Sequence, residues 1–274
     1  MALFPPEYLD AVVAIGTSAT DLRGTGFLYR HAIGLDGSTG RPQHLLFLVT
    51  NHHVVAGLDG LGAVFNSPSN EDTIFMKIPE SKPDGTAMWT LDEPSDIAVC
   101  RIPPSLLDEW DVPYAVFGDT AGTFQTVLSR AEARVEGITE GSPVAVLGFP
   151  LGLAGERRHY TIVRNGSVAR IRDWFNGDDE RFLIDCLVFP GNSGGPVVSI
   201  PDRVSIEGTS KASKSSLLGM VCGYRPYQEY ARSTASGRTR IVFEENSGLA
   251  VVLPVEMIQQ VIQRDLQESG WADF

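Results

Sequence analysis

Short apolar runs, broken by Gly, Pro, Asn and Ser, recur along almost the whole chain. Runs of that kind, bounded by turn residues, predict many short strands. In the first half the candidates are Ala11–Thr17, Gly26–Tyr29, His44–Thr50, Gly62–Phe65, Ile74–Ile78 and Ile97–Ile102. The second half offers Val144–Leu147, Thr161–Ile171, Arg181–Leu187, Pro196–Ile200, Leu217–Cys222 and Leu249–Leu253. Two sets of six strands suit two antiparallel β-barrels, so the expected class is all-β. The expected units are residues 1–118 and 139–274, joined by a crossover segment of mixed polarity at 119–138.

One segment breaks the strand pattern. From Pro254 onward, Val255, Ile258, Ile262 and Leu266 recur at three- and four-residue spacing, which puts them on one face of a helix over about 254–268. Pro254 suits the first helical position, and Gly270 is a stop. Two stretches, 201–216 and 225–247, carry Ser, Gly, Lys, Arg and Tyr without a strand pattern, and are read as long loops.

Of the 274 residues 43% are apolar, enough for a sizeable core, and 20% are charged. The net charge of −12 argues against a nucleic-acid partner, whose phosphates it would repel. Three cysteines, Cys100, Cys186 and Cys222, cannot all pair within one chain and form no C-x-x-C, so neither zinc nor a redox dithiol is expected. Reduced thiols and the lack of a signal-peptide pattern at Met1–Glu7 point to the cytoplasm. No run is long enough to suggest a membrane helix. No metal, cofactor or membrane partner is expected.

The chemistry concentrates in three places. Phe189-Pro190-Gly191-Asn192-Ser193-Gly194-Gly195-Pro196 places a serine in a glycine-rich turn before an apolar strand. Such a turn can aim neighbouring N–H groups at one point, where an oxyanion would develop. A serine hydroxyl needs a base and a group to orient that base. Thr50-Asn51-His52-His53-Val54-Val55 ends one apolar strand with histidines, and Ser95-Asp96-Ile97-Ala98-Val99 opens another with an aspartate.

The order His, Asp, Ser and these three blocks resemble the trypsin-like serine proteases, within them the HtrA-type branch. Gly24-Thr25-Gly26-Phe27, Val146-Leu147-Gly148-Phe149-Pro150-Leu151-Gly152, Leu218-Gly219-Met220-Val221 and Gly248-Leu249-Ala250-Val251 extend the resemblance over about residues 10–258. About twenty residues follow the last expected strand, so no PDZ domain is expected. The resemblance implies a two-barrel fold and a serine endopeptidase acting on proteins or peptides. It implies His53 as base, since it directly precedes Val54, Asp96 as its orienting partner and Ser193 as nucleophile. The oxyanion segment would be Gly191–Asn192–Ser193, with Gly191 and Ser193 supplying the N–H groups. His53 and His52 would face opposite sides of a strand. Leu187, Val188, Met220, Val221 and Cys222 would line an uncharged substrate pocket, with substrate extended beside Met220–Tyr224. Asn192 stands where trypsins hold an aspartate that pairs with a newly cut N-terminus, so another group, or an activating protein partner, must fix the Gly191 N–H. A peptide-binding or chaperone-like module without catalysis on the same scaffold is the alternative.

Overall fold

A computed structural model describes residues 5–35, 37–40, 42–67, 72–82, 85–103, 106–107, 114–118, 127–155, 157–201 and 214–269. After a short helix α1 (Glu7–Asp10), the first sheet is built from β1 (Val12–Gly16), β2 (Leu22–Leu35), β3 (Pro42–Thr50), β4 (Gly62–Asn66), β5 (Thr73–Lys77), β6 (Trp89–Asp92), β7 (Ile97–Arg101) and β8 (Phe117–Gly118). Its antiparallel path runs β5-β4-β1-β2-β3-β7-β6, with β8 parallel to β2. The second sheet holds β9 (Pro143–Gly148), β10 (Ile162–Arg170), β11 (Phe182–Asp185), β12 (Pro196–Ser199), β13 (Leu217–Arg232) and β14 (Thr239–Pro254). It closes as a six-stranded barrel in the order β10-β11-β14-β13-β12-β9. The all-β class with a C-terminal helix is therefore the observed one. Where a six-stranded first barrel was expected, the ladder is an eight-stranded sheet whose end strands, β5 and β6, do not pair.

The central strands are apolar on both faces because each face meets a different core. In β3, Leu46 and Leu48 point into the first sheet, whereas Phe47 and Val49 point into the seam between the sheets. In β9, Val144 and Val146 fill the barrel while Ala145 and Leu147 meet the same seam. The strand period of two sorts every second side chain. The large seam side chains Phe27, Tyr29, Phe47 and Phe149 are almost fully buried, each worth roughly 1.5–3 kcal/mol of transfer free energy.

Short helices fill the connections: α2 (His52–Val55), α3 (Arg130–Val135) and α4 (Arg172–Asn176). The crossover segment is described from Val127 onward, where α3 starts on a capping box between Ser129 and Glu132; 119–126 lies outside the described residues. Of the two expected loops, 202–213 likewise lies outside them. The other, 225–247, is not a loop. It is the outer half of a β13–β14 hairpin whose ladder continues to Arg232 and Thr239. Its side chains are exposed on both faces, so no apolar stripe marked it as strand.

The last helix, α5 (Val255–Glu268), has Pro254 as its N-cap rather than its first residue, and Gly270 falls outside the described residues. Val255, Ile258, Val261, Ile262 and Leu266 enter the seam core. The same face carries a buried acid, Asp265, which the apolar spacing did not reveal. Its Oδ1 accepts from Thr90 Oγ1 at 2.8 Å and Lys82 Nζ at 3.3 Å, and its Oδ2 from an Arg101 guanidinium nitrogen at 2.6 Å. All three donors belong to the first sheet or its loops, so one carboxylate ties the C-terminal helix to the N-terminal half. No helix among the described residues is long and apolar enough to cross a membrane. The three cysteines are unpaired.

Burial alone would raise the Asp265 pKa; the hydrogen bonds from Arg101 and Thr90 and the charges of Arg101 and Lys82 outweigh it and hold the carboxyl below its ordinary value. A pKa depressed by folding adds stability above the unfolded carboxylate value of about 4, and that stability is lost as pH falls through the folded value. Asp265→Asn should cost about 3 kcal/mol near neutral pH, because the two cations lose their partner. Urea unfolding from pH 7 to pH 3 should show the gap between wild type and variant closing with acid; a pH-independent gap would contradict the ionic account.

Candidate active site

His53 lies on the single helical turn that follows β3, not on the strand itself. The expected strand alternation of His52 and His53 is therefore replaced by the roughly 100° step of a helix, which still turns the two rings apart. His53 Nδ1 lies 2.9 Å from Asp96 Oδ2 and 3.0 Å from Oδ1, and the His53 backbone N–H donates to Oδ1 at 3.1 Å. The His52 ring has no hydrogen-bond partner among the described residues; only its backbone joins, donating to Asp96 O at 3.2 Å.

Asp96 occupies the turn just before β7, as its sequence context implied, but in a left-handed conformation at φ 60°. Aspartate tolerates that region, at a cost on the order of 1 kcal/mol. The return is geometric. The carbonyl turns toward Asn51 Nδ2, which donates to it at 2.9 Å, while the carboxylate faces His53. Asp92, at the end of β6, accepts from the Ser95 backbone N–H at 3.2 Å and from Arg264 of α5 at 2.6 Å. Burial raises the Asp92 pKa, but the bonds from Ser95 and the Arg264 cation prevail and lower it. The helix thus braces the residue immediately before Asp96.

Ser193 sits in the β11–β12 connection, and its carbonyl accepts from the Thr25 backbone N–H on β2 at 2.9 Å. Thr25 is buried and makes further bonds across the seam. Its Oγ1 donates to Gly191 O at 2.7 Å and accepts from the Phe149 N–H at 3.0 Å, and its carbonyl accepts from Thr50 Oγ1 at 2.7 Å. Gly191 has φ 96°, and a Cβ there would stand 2.4 Å from Phe149 O, so no other residue fits. The Leu151 N–H donates to Pro190 O at 2.6 Å. Thr25 and the Phe149–Leu151 segment, which the sequence marked only as motif blocks, are what shape this loop.

The Gly191 and Ser193 N–H groups donate to no group among the described residues. Asn192 differs from the expected oxyanion segment. Its backbone N–H donates to Phe189 O at 2.9 Å and its Oδ1 accepts from the Phe189 N–H at 3.0 Å, so it closes the turn and leaves no backbone donor to offer. Ser193 Oγ has no hydrogen-bond partner among the described residues, His53 included.

The residues expected to line the pocket have different surroundings: Val188 and Val221 belong to the barrel core and Met220 to the seam core. Leu187 is half exposed and Cys222 partly so, and these two side chains remain near the serine loop. Burial pushes the Cys222 thiol up to about 11, with Arg181 and Arg225 opposing and Asp96 reinforcing the shift, so it is neutral at pH 7. No group of three His, Cys, Asp or Glu side chains among the described residues is placed to hold a metal.

No curated protein sequence matches the chain. Among solved structures, the chain is similar to the MamO protease domain from Magnetospirillum magneticum at 13% identity and TM-score 0.47, covering 93% of this chain and 97% of that one. It is also similar to the Rv3671c protease of M. tuberculosis in its active form, at 16% identity and TM-score 0.44, covering 93% and 80%. The family model described as trypsin-like peptidase domain matches residues 24–204. That span holds His53, Asp96 and Ser193 and more than half of the chain, which belongs to the trypsin-like peptidase domain family.

Proposed function

We propose that the protein is a serine endopeptidase that cleaves through an acyl-enzyme, with Ser193 as nucleophile, His53 as base and Asp96 as the group that orients it. The observation that carries this reading is the grip of Asp96 on both the backbone and the ring of His53, beside a serine loop with two uncommitted N–H groups. With Nδ1–H donated to Asp96, the His53 Nε2 lone pair is free to take the Ser193 proton. Ser193 Oγ then bonds to the scissile carbonyl carbon, and the oxyanion forms against the Gly191 and Ser193 N–H groups. His53 returns the proton to the departing amine nitrogen. In the second half it deprotonates a water that adds to the acyl carbon, and it gives that proton to Ser193 Oγ as the ester C–O bond breaks and the acid leaves. The Ser193–His53 hydrogen bond missing from the free protein would form as substrate seats, as catalytic bonds often do.

Fixation of the oxyanion donors rests on Thr25 and on the Asn192–Phe189 turn. Neither requires a charged N-terminus, so this reading has the protein working without N-terminal trimming. With a half-exposed Leu187 and a partly buried, neutral Cys222 as the side chains there, cleavage after small or medium apolar residues is favoured; a lysine or arginine would be desolvated without a partner.

Ser193→Ala and His53→Ala should each lower kcat by on the order of 10⁴-fold or more with unchanged thermal unfolding, whereas His52→Ala should stay within about tenfold of wild type. A fluorophosphonate probe should label Ser193 in wild type and not in His53→Ala. An unlabelled wild type that still binds peptide would replace this reading with that of a non-catalytic peptide-binding module.

Thr25→Val keeps the shape of the side chain but orphans Gly191 O and the Phe149 N–H. It should cost about 2 kcal/mol in urea unfolding and reduce kcat far more than it changes KM. An unaltered kcat would show that the serine loop holds itself.

Profiling cuts in a peptide library should give mainly apolar residues before the scissile bond. A profile dominated by Lys or Arg would overturn the assignment of Leu187 and Cys222.

A further inference from the structure

The β13–β14 hairpin is much longer than the barrel requires. β12 covers β13 only at Leu217–Met220, and β11 covers β14 only at Leu249–Val252. Beyond the barrel the two strands pair with each other alone, from Pro226 opposite Asn246 to Arg232 opposite Thr239, with no third strand among the described residues. This ribbon exposes Tyr227 (53%), Tyr230 (53%), Ile241 (54%), Val242 (48%) and Phe243 (54%). An isolated two-stranded ribbon is marginal in water, and so many apolar side chains on both faces are what a strand waiting for a neighbour presents.

The position of the free edge says what that neighbour is. β13 passes directly beside the serine loop: the Gly194 N–H donates to Val221 O, and the Val221 N–H donates to Gly195 O, both at 2.9 Å. Among the described residues these are the last main-chain bonds on that side of β13. From Cys222 the same edge meets no strand among the described residues as far as Arg232, about ten residues or ~33 Å at strand spacing. A peptide with its scissile carbonyl at Ser193, lying antiparallel to β13, would carry its upstream residues along this edge and out over the ribbon.

We propose that the ribbon is a substrate-docking arm, on which an extended stretch of polypeptide N-terminal to the scissile bond adds as a third strand beside β13 past Tyr224. The proposal rests on the peptidase reading for the position of the scissile bond. Main-chain bonds give affinity in this mode, and alternate side chains give preference. Tyr227 and Tyr230 lie on opposite faces of β13 and would pack against aromatic or β-branched side chains of the added strand. Pro226 has no N–H, which divides the edge into a stretch at the cleft and a stretch on the arm. Glu229, Glu244 and Glu245 on the ribbon are matched by Arg225, Arg232, Arg238 and Arg240, so charge sets no preference there. The substrate class is thus an unfolded segment, and a folded loop with only a few residues free upstream of the cut does not reach the arm.

The test uses an octapeptide spanning a cleaved bond and three relatives. One gains ten upstream residues of alternating Thr, Val and Tyr, one gains them downstream, and one has the upstream extension with alternate amides N-methylated. In the full-length protein only the plain upstream extension should raise kcat/KM, by tenfold or more, and tighten binding to Ser193→Ala by a similar factor. Replacing 227–245 by an Asn-Gly turn should abolish that gain while leaving octapeptide cleavage unchanged. If the shortened chain does not fold, Tyr227→Ser/Tyr230→Ser should cut the gain several-fold. Equal kcat/KM and equal binding for short and upstream-extended peptides would overturn the proposal. So would a gain that survives loss of the ribbon, or a dimer that shortening dissociates with no effect of peptide length, which would make a second copy the neighbour. Length-dependent binding without any cleavage would support the arm and defeat the peptidase reading.

Discussion

The hydrogen bonds of Thr25 are the constraint on which the rest of the site depends. One buried residue on β2 fixes the carbonyls of both Ser193 and Gly191 and takes the N–H of Phe149, so two segments of the second half are referenced to a single point on the first sheet. Its own carbonyl is held by Thr50, just before the turn that carries His53. The proposed nucleophile and base are therefore aligned through two residues, Thr25 and Thr50, rather than through the slack of a whole chain. Thr25, Thr50 and Phe149 are buried and Gly191 and Ser193 half-buried, so losing a partner would leave the other with a desolvation cost.

A second brace comes from the far end of the chain. α5 follows the barrel but reaches the first sheet through Asp265, bonded to Lys82, Thr90 and Arg101, and through Arg264, bonded to Asp92. Asp92 in turn holds Ser95, next to Asp96. The left-handed backbone of Asp96 persists because its carbonyl, N–H and carboxylate are all engaged by neighbours, which is the condition under which strained conformations survive.

Much of this was legible in the sequence, for identifiable reasons. The central strands showed as unbroken apolar runs because both of their faces are buried, and α5 showed because its seam face has helical period. The serine, histidine and aspartate blocks were readable because each lies in a turn whose glycines or polar residues are forced by geometry. β6 was missed because Trp89-Thr90-Leu91-Asp92 is too short and mixed to form a run. The outer ribbon was missed because a strand exposed on both faces has no alternation to read. Val188, Met220 and Val221 were assigned to a pocket by the resemblance, and which core each side chain joins could not be read from it. Thr25 gave no chemical signal at all: a β-branched residue in a strand looks like any other until its partners across the seam are known.

The placement of the site across the seam has a consequence for what its turnover reports. His53 and Asp96 travel with one sheet and Ser193 with the other, while the strands themselves are held by their own ladders. A slight shear between the sheets would separate Nε2 from Oγ without breaking a single strand pair. Turnover would then register slippage at this boundary as solvent or temperature is changed, well before far-ultraviolet dichroism records any loss of β-structure.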